Sequence, residues 1–313
     1  MRRSQNTLIA LCFLAAFGTE PASAATKLTF LYNASAAFVG LFVANDQGIL
    51  AKHGLDIDFS LAQSGAVMPP ALLSGSAQIG APTSTVLVQA HEQGIDIVAI
   101  AGTSVYPTPT GQDGVVARTG SGLKGASDLV GHKVGLPSLG GIFEVLMRNW
   151  VRASGADDTK VQWLEVQMRQ MGDALKAGLV DAATPVEPFY SRAIRSGVGY
   201  DIGDFEAVVP AGTIPVLYAA TRGWATAHAD LVRAFRASLE DANAFIKDPA
   251  NAAAVRTSIA KYTKLPPAAA ATLTIPAHLE VAVKPQGLTF WIDVMRRQGL
   301  IRHNVDPASL IAP

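Results

Sequence analysis

The chain has 313 residues, of which 49% are hydrophobic, and its 25 basic side chains balance its 25 acidic ones. That balance argues against a nucleic-acid partner, which needs a basic surface to replace the counterions of the phosphates. A chain of this length can bury a large core and favours two lobes over one, while its single cysteine excludes an intramolecular disulfide.

The first 24 residues have the order of a secretory signal peptide. Arginines at positions 2 and 3 precede an unbroken apolar run over residues 8–17, and Ala22, Ser23 and Ala24 supply the small residues of a cleavage site. The run is too short to cross a bilayer, which takes about 20 residues, and a buried N-terminal helix would not explain this order. We predict cleavage near Ala24 and a mature monomer in the periplasm without direct membrane insertion.

Strands and helices alternate in the first part of the mature chain. The predicted strands are 27–33, 55–61, 78–81 and 95–101, and the predicted helices are 37–53, 67–73 and 83–93. This βαβα order is typical of a mostly parallel sheet.

A stretch rich in Pro, Thr and Gly over residues 106–114 interrupts this order and predicts a crossing between lobes. Strands at 133–136, 161–166 and 181–184 and helices at 141–154, 168–178 and 187–196 follow. An apolar strand at 214–221 then crosses back, and helices at 226–246, 250–262, 267–273 and 288–298 are expected on the outer faces of the first lobe. We thus predict residues 1–24 as signal peptide, 25–110 and 213–313 as lobe 1, and 111–212 as lobe 2.

One internal repeat supports two related lobes. Residues 71–82 (ALLSGSAQIGAP) align without gaps with residues 174–185 (ALKAGLVDAATP), and four of the twelve positions are identical. Each stretch reads as a helix, a Gly stop, a short strand and a Pro that opens the next helix. Because both stand at the same topological point, they indicate a duplicated lobe.

Three stretches resemble the periplasmic solute-binding proteins of ABC importers, in the group that binds nitrate, sulfonates and taurine, with its pyrimidine-precursor relatives. They cover residues 40–55, 72–102 and 128–189, the last of which contains DLVGHKVGLP and ALKAGLVDAATPVEPF. The resemblance implies a type II α/β fold of two lobes, each with a five-stranded sheet, joined by two crossings. It also implies a ligand clamped between the lobes by hinge closure and an ABC permease as partner.

Four turns fall at the carboxyl ends of predicted strands, where open parallel sheets bind ligands. They lie at residues 33–35, 82–84, 137–141 and 185–187. Helix starts carry unpaired N–H groups and a partial positive charge, so they hold anions without a basic side chain. Ser35, Thr83 and Ser138, each readable alone as an N-cap, together indicate contact with one ligand.

Aromatic residues near these turns suggest that the ligand has an apolar or aromatic body. Phe38 and Phe143, in the first turns of their helices, are the preferred candidates, and Tyr106 and Tyr218 near the crossings come next. The candidate ligand-binding residues are Asn33, Ser35, Phe38, Ser64, Thr83, Ser84, Tyr106, Ser138, Gly140, Gly141, Phe143, Glu187, Tyr190 and Tyr218.

Glu187 is the acidic candidate. In taurine-binding relatives an acidic residue before a proline contacts the substrate amine, and Val186-Glu187-Pro188 resembles that site, although Val stands where the relatives have an aromatic residue. A glutamate that serves the dipole of its helix is the alternative.

Enzyme motifs are poorly matched. Residues 135–140 (GLPSLG) resemble G-x-S-x-G, but the first spacing is one residue too long. The six histidines are scattered and none forms H-E-x-x-H, and residues 120–125 (GSGLKG) lack the helix that a dinucleotide site requires. We expect a binding protein for a small organic anion, a sulfonate or carboxylate, without catalytic residues, metal or cofactor. An enzyme of the pyrimidine-precursor synthase type and a component that presents its ligand to a sensor remain alternatives.

Overall fold

The computed structural model describes residues 26–62, 65–106, 114–187, 189–265 and 275–313. The predicted signal peptide, Ser64 and the predicted helix over 267–273 lie outside these residues. Within them no helix has the length and apolar character needed to span a membrane.

Ten strands and eleven helices are described. The strands are β1 (Thr26–Tyr32), β2 (Leu55–Leu61), β3 (Ile79–Gly80), β4 (Ile97–Gly102), β5 (Val116–Arg118), β6 (Lys133–Leu136), β7 (Gln162–Glu165), β8 (Ala182–Ala183), β9 (Gly199–Asp201) and β10 (Leu217–Thr221). The helices are α1 (Val39–Asp46), α2 (Ile49–Lys52), α3 (Met68–Leu73), α4 (Ser84–Glu92), α5 (Ile142–Ala153), α6 (Met171–Lys176), α7 (Phe189–Arg195), α8 (Arg222–Ala227), α9 (Ala229–Lys247), α10 (Ala252–Thr263) and α11 (Gln286–Arg297).

The strands form two five-stranded sheets, and each sheet defines a lobe. The first sheet has the order β2-β1-β3-β10-β4 and the second the order β7-β6-β8-β5-β9. In the first sheet β1 pairs in parallel with β2 and β3, and in the second β6 pairs in parallel with β7 and β8. The prediction of a two-lobed α/β fold with mostly parallel sheets is confirmed.

Each sheet contains one antiparallel strand next to its third strand. That strand is β10 in the first sheet and β5 in the second. Both enter their sheet directly after a crossing between the lobes. The first crossing runs from β4 to β5, and we use the name second crossing for residues 209–216, which lead into β10.

The internal repeat corresponds to equivalent structure. Helix α6 begins and ends 103 residues after α3, and β8 lies 103 residues after β3. Gly75 and Gly178, which end the two helices, both have positive φ angles, 72° and 68°, as the left-handed end of a helix favours. Because both short strands stand third in their sheets, the similarity at residues 71–82 and 174–185 marks two lobes of the same topology.

Two predicted helices are interrupted. The one predicted over 37–53 is a 3₁₀ turn followed by α1 and α2, which Gly48 separates with a φ of 67°. The one predicted over 226–246 begins only at Ala229, because His228 leaves the helical conformation (φ −125°) and stacks its ring on Trp224. Strand β9 had no counterpart in the prediction.

The helices after β10 do not all pack on the first lobe. Helices α9 and α10 pack against α1, as expected, whereas α11 packs against α4 and also against α5 of the second lobe. At its end the side-chain amide of Gln298 donates to the carbonyl of Val145 at 2.8 Å, and Arg152 donates to the carbonyl of Arg297 at 2.7 Å. Helix α11 therefore connects the two lobes in addition to the crossings.

Candidate functional site

The starts of α4 and α5 follow the carboxyl ends of β3 and β6, where open α/β sheets bind their ligands. Helix α4 begins at Thr83, whose hydroxyl accepts a hydrogen bond from the N–H of Val86 at 3.3 Å and lies 2.8 Å from the hydroxyl of Thr85. For the N–H of Thr85, the described residues supply no acceptor. Thr83 is thus an N-cap, the alternative that its residue type allows by itself, and it leaves one donor of its helix unpaired.

Ser84, directly after Thr83, is directed toward the second crossing. Its side chain is fully buried, its hydroxyl donates to the carbonyl of Ile214 at 2.5 Å, and its N–H donates to the carbonyl of Pro215 at 2.9 Å. Both donors are used on the second crossing, so this conformation offers neither to a ligand.

The start of α5 is built from glycine. Gly141 is the N-cap and has no side chain that could accept a hydrogen bond from the N–H groups of the first turn. Gly140 before it has a φ of 73°, a conformation that favours glycine. The N–H groups of Ile142, Phe143 and Glu144 find no acceptor among the described residues. Exposed Ser138 precedes the two glycines, so this turn offers backbone donors and one hydroxyl.

A carboxylate of the chain itself occupies part of this turn. Glu144 accepts a hydrogen bond from the N–H of Gly140 at 2.6 Å, and Arg148 donates to Glu144 at 2.7 Å and to Asp158 at 2.9 Å. A negative charge therefore lies at the start of α5, with Arg148 as its counterion. The sequence prediction did not include Glu144 and treated the Gly140 N–H as free; the i, i+4 spacing of Glu144 and Arg148 was the available signal.

The second turn of α4 contacts the start of α5 across the lobes. Gln89, in the second turn of α4, donates its side-chain amide to the carbonyl of Gly140 at 3.2 Å. Since α4 belongs to the first lobe and Gly140 to the second, this hydrogen bond bridges them. Gln89 was also missed by sequence reasoning, which examined turns and not the helices behind them.

Two polar atoms at carboxyl ends of strands lack partners. The side-chain oxygen of Asn33, directly after β1, and the hydroxyl of Thr184, directly after β8, are buried and have no hydrogen-bond partner among the described residues. Ser35 lies beside Asn33, and its hydroxyl caps the following 3₁₀ turn by accepting from Ala37 at 3.2 Å. Large apolar side chains exposed near these ends are Leu61, Val67 and Leu139.

The predicted aromatic residues separate into two groups. Phe38 and Tyr218 are buried in one aromatic cluster, 5.9 Å apart between ring centroids, and burial raises the pKa of the Tyr218 hydroxyl. Neither presents surface to a ligand in this conformation, because residues of the first strand, α1 and α9 enclose them. Tyr106 and Phe143 are half-buried; Tyr106 lies 6.5 Å from the Trp291 ring, and Phe143 packs on Phe205.

Glu187 and Tyr190 lie on the second lobe at the start of α7. Glu187 is exposed and accepts a hydrogen bond from Ser191. The pKa of Tyr190 is raised to about 12, first by burial. The charge of Asp201, a hydrogen bond to Asp201 and the charge of Glu187 follow in that order. The hydroxyl of Tyr190 therefore stays protonated at neutral pH and serves as a donor beside two carboxylates.

A cavity of about 490 Å³ lies elsewhere, between the second crossing and α11. Its walls include Thr213, Ile214, Gly287, Phe290 and Asp293. None of the predicted site residues lines it. Among the described residues no group of three or more His, Cys, Asp or Glu side chains is arranged to hold a metal ion.

Comparison with known proteins gives the family. The model of the family described as NMT1/THI5 like matches residues 35–252. A formylaminopyrimidine-binding protein from Halalkalibacterium halodurans is 25% identical over 206 residues, which are 64% of this chain and 61% of that relative. The match thus spans about three fifths of the relative's length.

Solved structures share the fold. The periplasmic aliphatic sulphonate binding protein SsuA from Escherichia coli superposes with a TM-score of 0.76 at 22% identity, over 91% of this chain and 97% of that one. The periplasmic nitrate-binding protein NrtA from Synechocystis PCC 6803 gives a TM-score of 0.71 at 14% identity, over 90% and 84%. The chain has the two-lobed fold of periplasmic binding proteins and belongs to the NMT1/THI5-like family.

Proposed function

We propose that this protein is the binding component of an ABC importer, which captures a small organic anion between its lobes and delivers it to a permease. The observation that carries the proposal is the contact across the lobes between Gln89, in the second turn of α4, and Gly140, at the start of α5. Unpaired N–H groups at both starts supply donors for a sulfonate or carboxylate. Two-lobed binders close because a ligand that contacts both lobes favours the closed state.

The names of the similar proteins support a small polar ligand. They include a sulphonate binder, a nitrate binder and a formylaminopyrimidine binder. The negative charge of Glu144 at the α5 start leads us to place the anionic group nearer Thr83, at the start of α4. The half-buried rings of Tyr106 and Phe143 would contact an apolar or aromatic body, and Glu187 an amine if the ligand has one.

The proposal also covers export of the chain to the periplasm and the boundaries of its two lobes. The signal sequence directs the chain to the periplasm, where cleavage before Ala25 leaves a monomer. The first lobe comprises residues 25–110 and 213–313 and the second lobe residues 111–212. A role in presenting the ligand to a membrane sensor, and an enzymatic role, are the competing functions.

Native mass spectrometry of freshly purified mature protein would look for a retained small molecule. Calorimetry with an alkanesulfonate, nitrate, taurine and a formylaminopyrimidine would then rank the ligand classes. We expect saturable binding of at least one organic anion without chemical turnover. Turnover of a bound compound would favour the enzyme, and binding without permease-dependent uptake would favour the sensor component.

A further inference from the structure

The cavity between the second crossing and α11 has the size of a small-molecule site. Its volume of about 490 Å³ lies within the range of about 300–1,000 Å³ that ligand pockets occupy. Helix α11 contributes Gln286, Phe290, Asp293 and Arg297 to its walls. These four residues follow one another at helical spacing and share one face of the helix, over about 16 Å of its length. The cavity is therefore elongated along α11.

The inner wall of this cavity is apolar. Ile214 is 2% exposed, and Phe290 is half-buried, with its ring set edge-on against Trp291 at 5.1 Å between centroids. The small side chains of Ala211 and Ala282 complete the wall. An apolar or aromatic body placed here would displace water from apolar surface, which is favourable.

A buried hydroxyl in the same wall lacks a partner. Thr213 lines the cavity and is only 2% exposed, yet its hydroxyl makes no hydrogen bond within the part of the chain that the structure describes. The hydroxyl of Thr103, which is buried to a similar extent, donates to the carbonyl of Val216 at 2.7 Å. Since buried polar groups are as a rule hydrogen-bonded, the orphaned hydroxyl of Thr213 points to a ligand atom as its missing partner.

The charges around the cavity leave one cation uncompensated. Lys284 is paired with Glu280, and Asp293 with Arg296 at 3.6 Å. The guanidinium of Arg297 has neither an ion pair nor a hydrogen bond to any residue of the described ranges. Long helical side chains lean toward the N-terminus of their helix, which directs Arg297 along the cavity. The unpaired charge thus favours a ligand with one anionic group.

We propose that this cavity is a second ligand site, which we call the α11 site, for an aromatic monoanion such as an aryl carboxylate or aryl sulfonate. The ring of the ligand lies against Ile214 and Phe290, the hydroxyl of Thr213 donates to it, and Arg297 pairs with its anionic group. None of the residues predicted for the cleft between the lobes lines the α11 site. The proposal is therefore independent of the proposed function.

The test uses anilinonaphthalene sulfonate, which joins an aromatic body to one sulfonate and fluoresces when it leaves water. Fluorescence titrations would compare the mature protein with Arg297→Gln and Thr213→Val. The matched control is Arg296→Gln, because Arg296 is the neighbouring arginine of α11, is also exposed and does not line the cavity. Gly140→Leu removes the contribution of the cleft to the signal, and thermal unfolding checks the fold of every variant.

A second pair of variants tests the space itself. Ala282→Phe places a ring in the cavity from an exposed position on its wall. Ala277→Phe adds the same ring at an exposed position of the same segment that does not line the cavity.

We expect saturable binding of the probe to the mature protein and to Gly140→Leu. Arg297→Gln should weaken binding about tenfold, because a hydrogen bond to a charged group is lost, and the loss should shrink as ionic strength rises. Thr213→Val should weaken binding about fivefold and raise the midpoint of thermal unfolding, since it removes a buried hydroxyl that has no partner in the folded chain. Ala282→Phe should abolish binding, whereas Ala277→Phe should leave it unchanged.

Three results would overturn the proposal. The first is no saturable binding, or binding that disappears in Gly140→Leu. The second is an affinity in Arg297→Gln and Thr213→Val equal to that of Arg296→Gln, and the third is equal binding to Ala282→Phe and Ala277→Phe. A cleft that binds no anion would count against the proposed function alone and leave the α11 site intact.

Discussion

The side-chain amide of Gln89 in the first lobe donates to the carbonyl of Gly140 in the second lobe at 3.2 Å. This contact joins the second turn of α4 to the start of α5, through residues 51 positions apart in the sequence. Each start has backbone donors without acceptors among the described residues. A ligand placed there would touch both lobes, as capture by closure requires.

Gln89→Ala should weaken ligand binding about two- to thirteenfold, because one hydrogen bond that forms only when the lobes meet contributes about 0.5–1.5 kcal/mol. Calorimetry with the ligand identified by mass spectrometry measures this loss. Gln93→Ala, at the exposed C-terminal end of the same helix, is the control. Equal affinities for the two variants would show that the bridge does not take part in closure.

Glu144→Gln should tighten the binding of a simple alkanesulfonate. The substitution retains an acceptor for the Gly140 N–H but removes a negative charge from the α5 start, where an anion would otherwise meet repulsion. The gain should shrink as ionic strength rises, since salt screens the interaction of charges. Asp157→Asn, an exposed charge removed elsewhere in the second lobe, is the control. Weaker sulfonate binding in Glu144→Gln would mean that Glu144 supports the anion through Arg148 or contacts a cationic group.

Gly140→Leu should abolish binding while the protein remains folded. A Cβ at Gly140 would meet no atom within 4 Å, so the leucine side chain can enter the open space at the α5 start and block the approach of a ligand to the backbone. The left-handed backbone costs about 1–2 kcal/mol, which the fold should tolerate. Gly155→Leu carries the same kind of strain, with a φ of 82° and no atom within 4 Å of its Cβ. Normal affinity in Gly140→Leu, with both variants equally destabilised, would mean that the site has been misplaced.

Tyr190 should make the stability of the fold depend on pH in the alkaline range. Its pKa is raised from 10.0 to about 12 in the folded chain, so the unfolded chain loses this proton first as the pH rises. The free energy of unfolding should therefore be fully retained below pH 10 and fall between about pH 10 and 12. Tyr190→Phe should reduce this slope in urea titrations, while the other buried tyrosines keep part of it. An unchanged slope would contradict the raised pKa of Tyr190, whose first cause is burial.

The sequence predicted best what local patterns determine. Strands β2 and β6 have the predicted bounds, because alternation, an apolar run and glycine stops are visible in the chain. The internal repeat also indicated the shared topology of the lobes. Gly48 shows the limit of such patterns. The apolar pattern continues across Gly48, whereas the helix is interrupted there.

The candidate site was harder to predict because side-chain direction depends on distant partners. Ser84 and Thr83 read alike as residues of a helix start, yet Ser84 is turned toward Ile214, 130 residues away. Phe38 follows a strand end as expected, but its ring packs into the core with Tyr218. Glu144 differs, because its partner Gly140 lies only four residues before it and the i, i+4 spacing of Glu144 and Arg148 was an available local signal.

The ligand-induced change in shape tests the central claim most directly. Small-angle scattering and thermal unfolding of the mature protein would be measured with and without the ligand, at ~100 times its dissociation constant. We expect a smaller radius of gyration and stabilisation by ~2.7 kcal/mol, which raises the midpoint by several degrees at about 2–4 °C per kcal/mol. A ligand that binds tightly and leaves the scattering unchanged would contradict capture by closure of the two lobes.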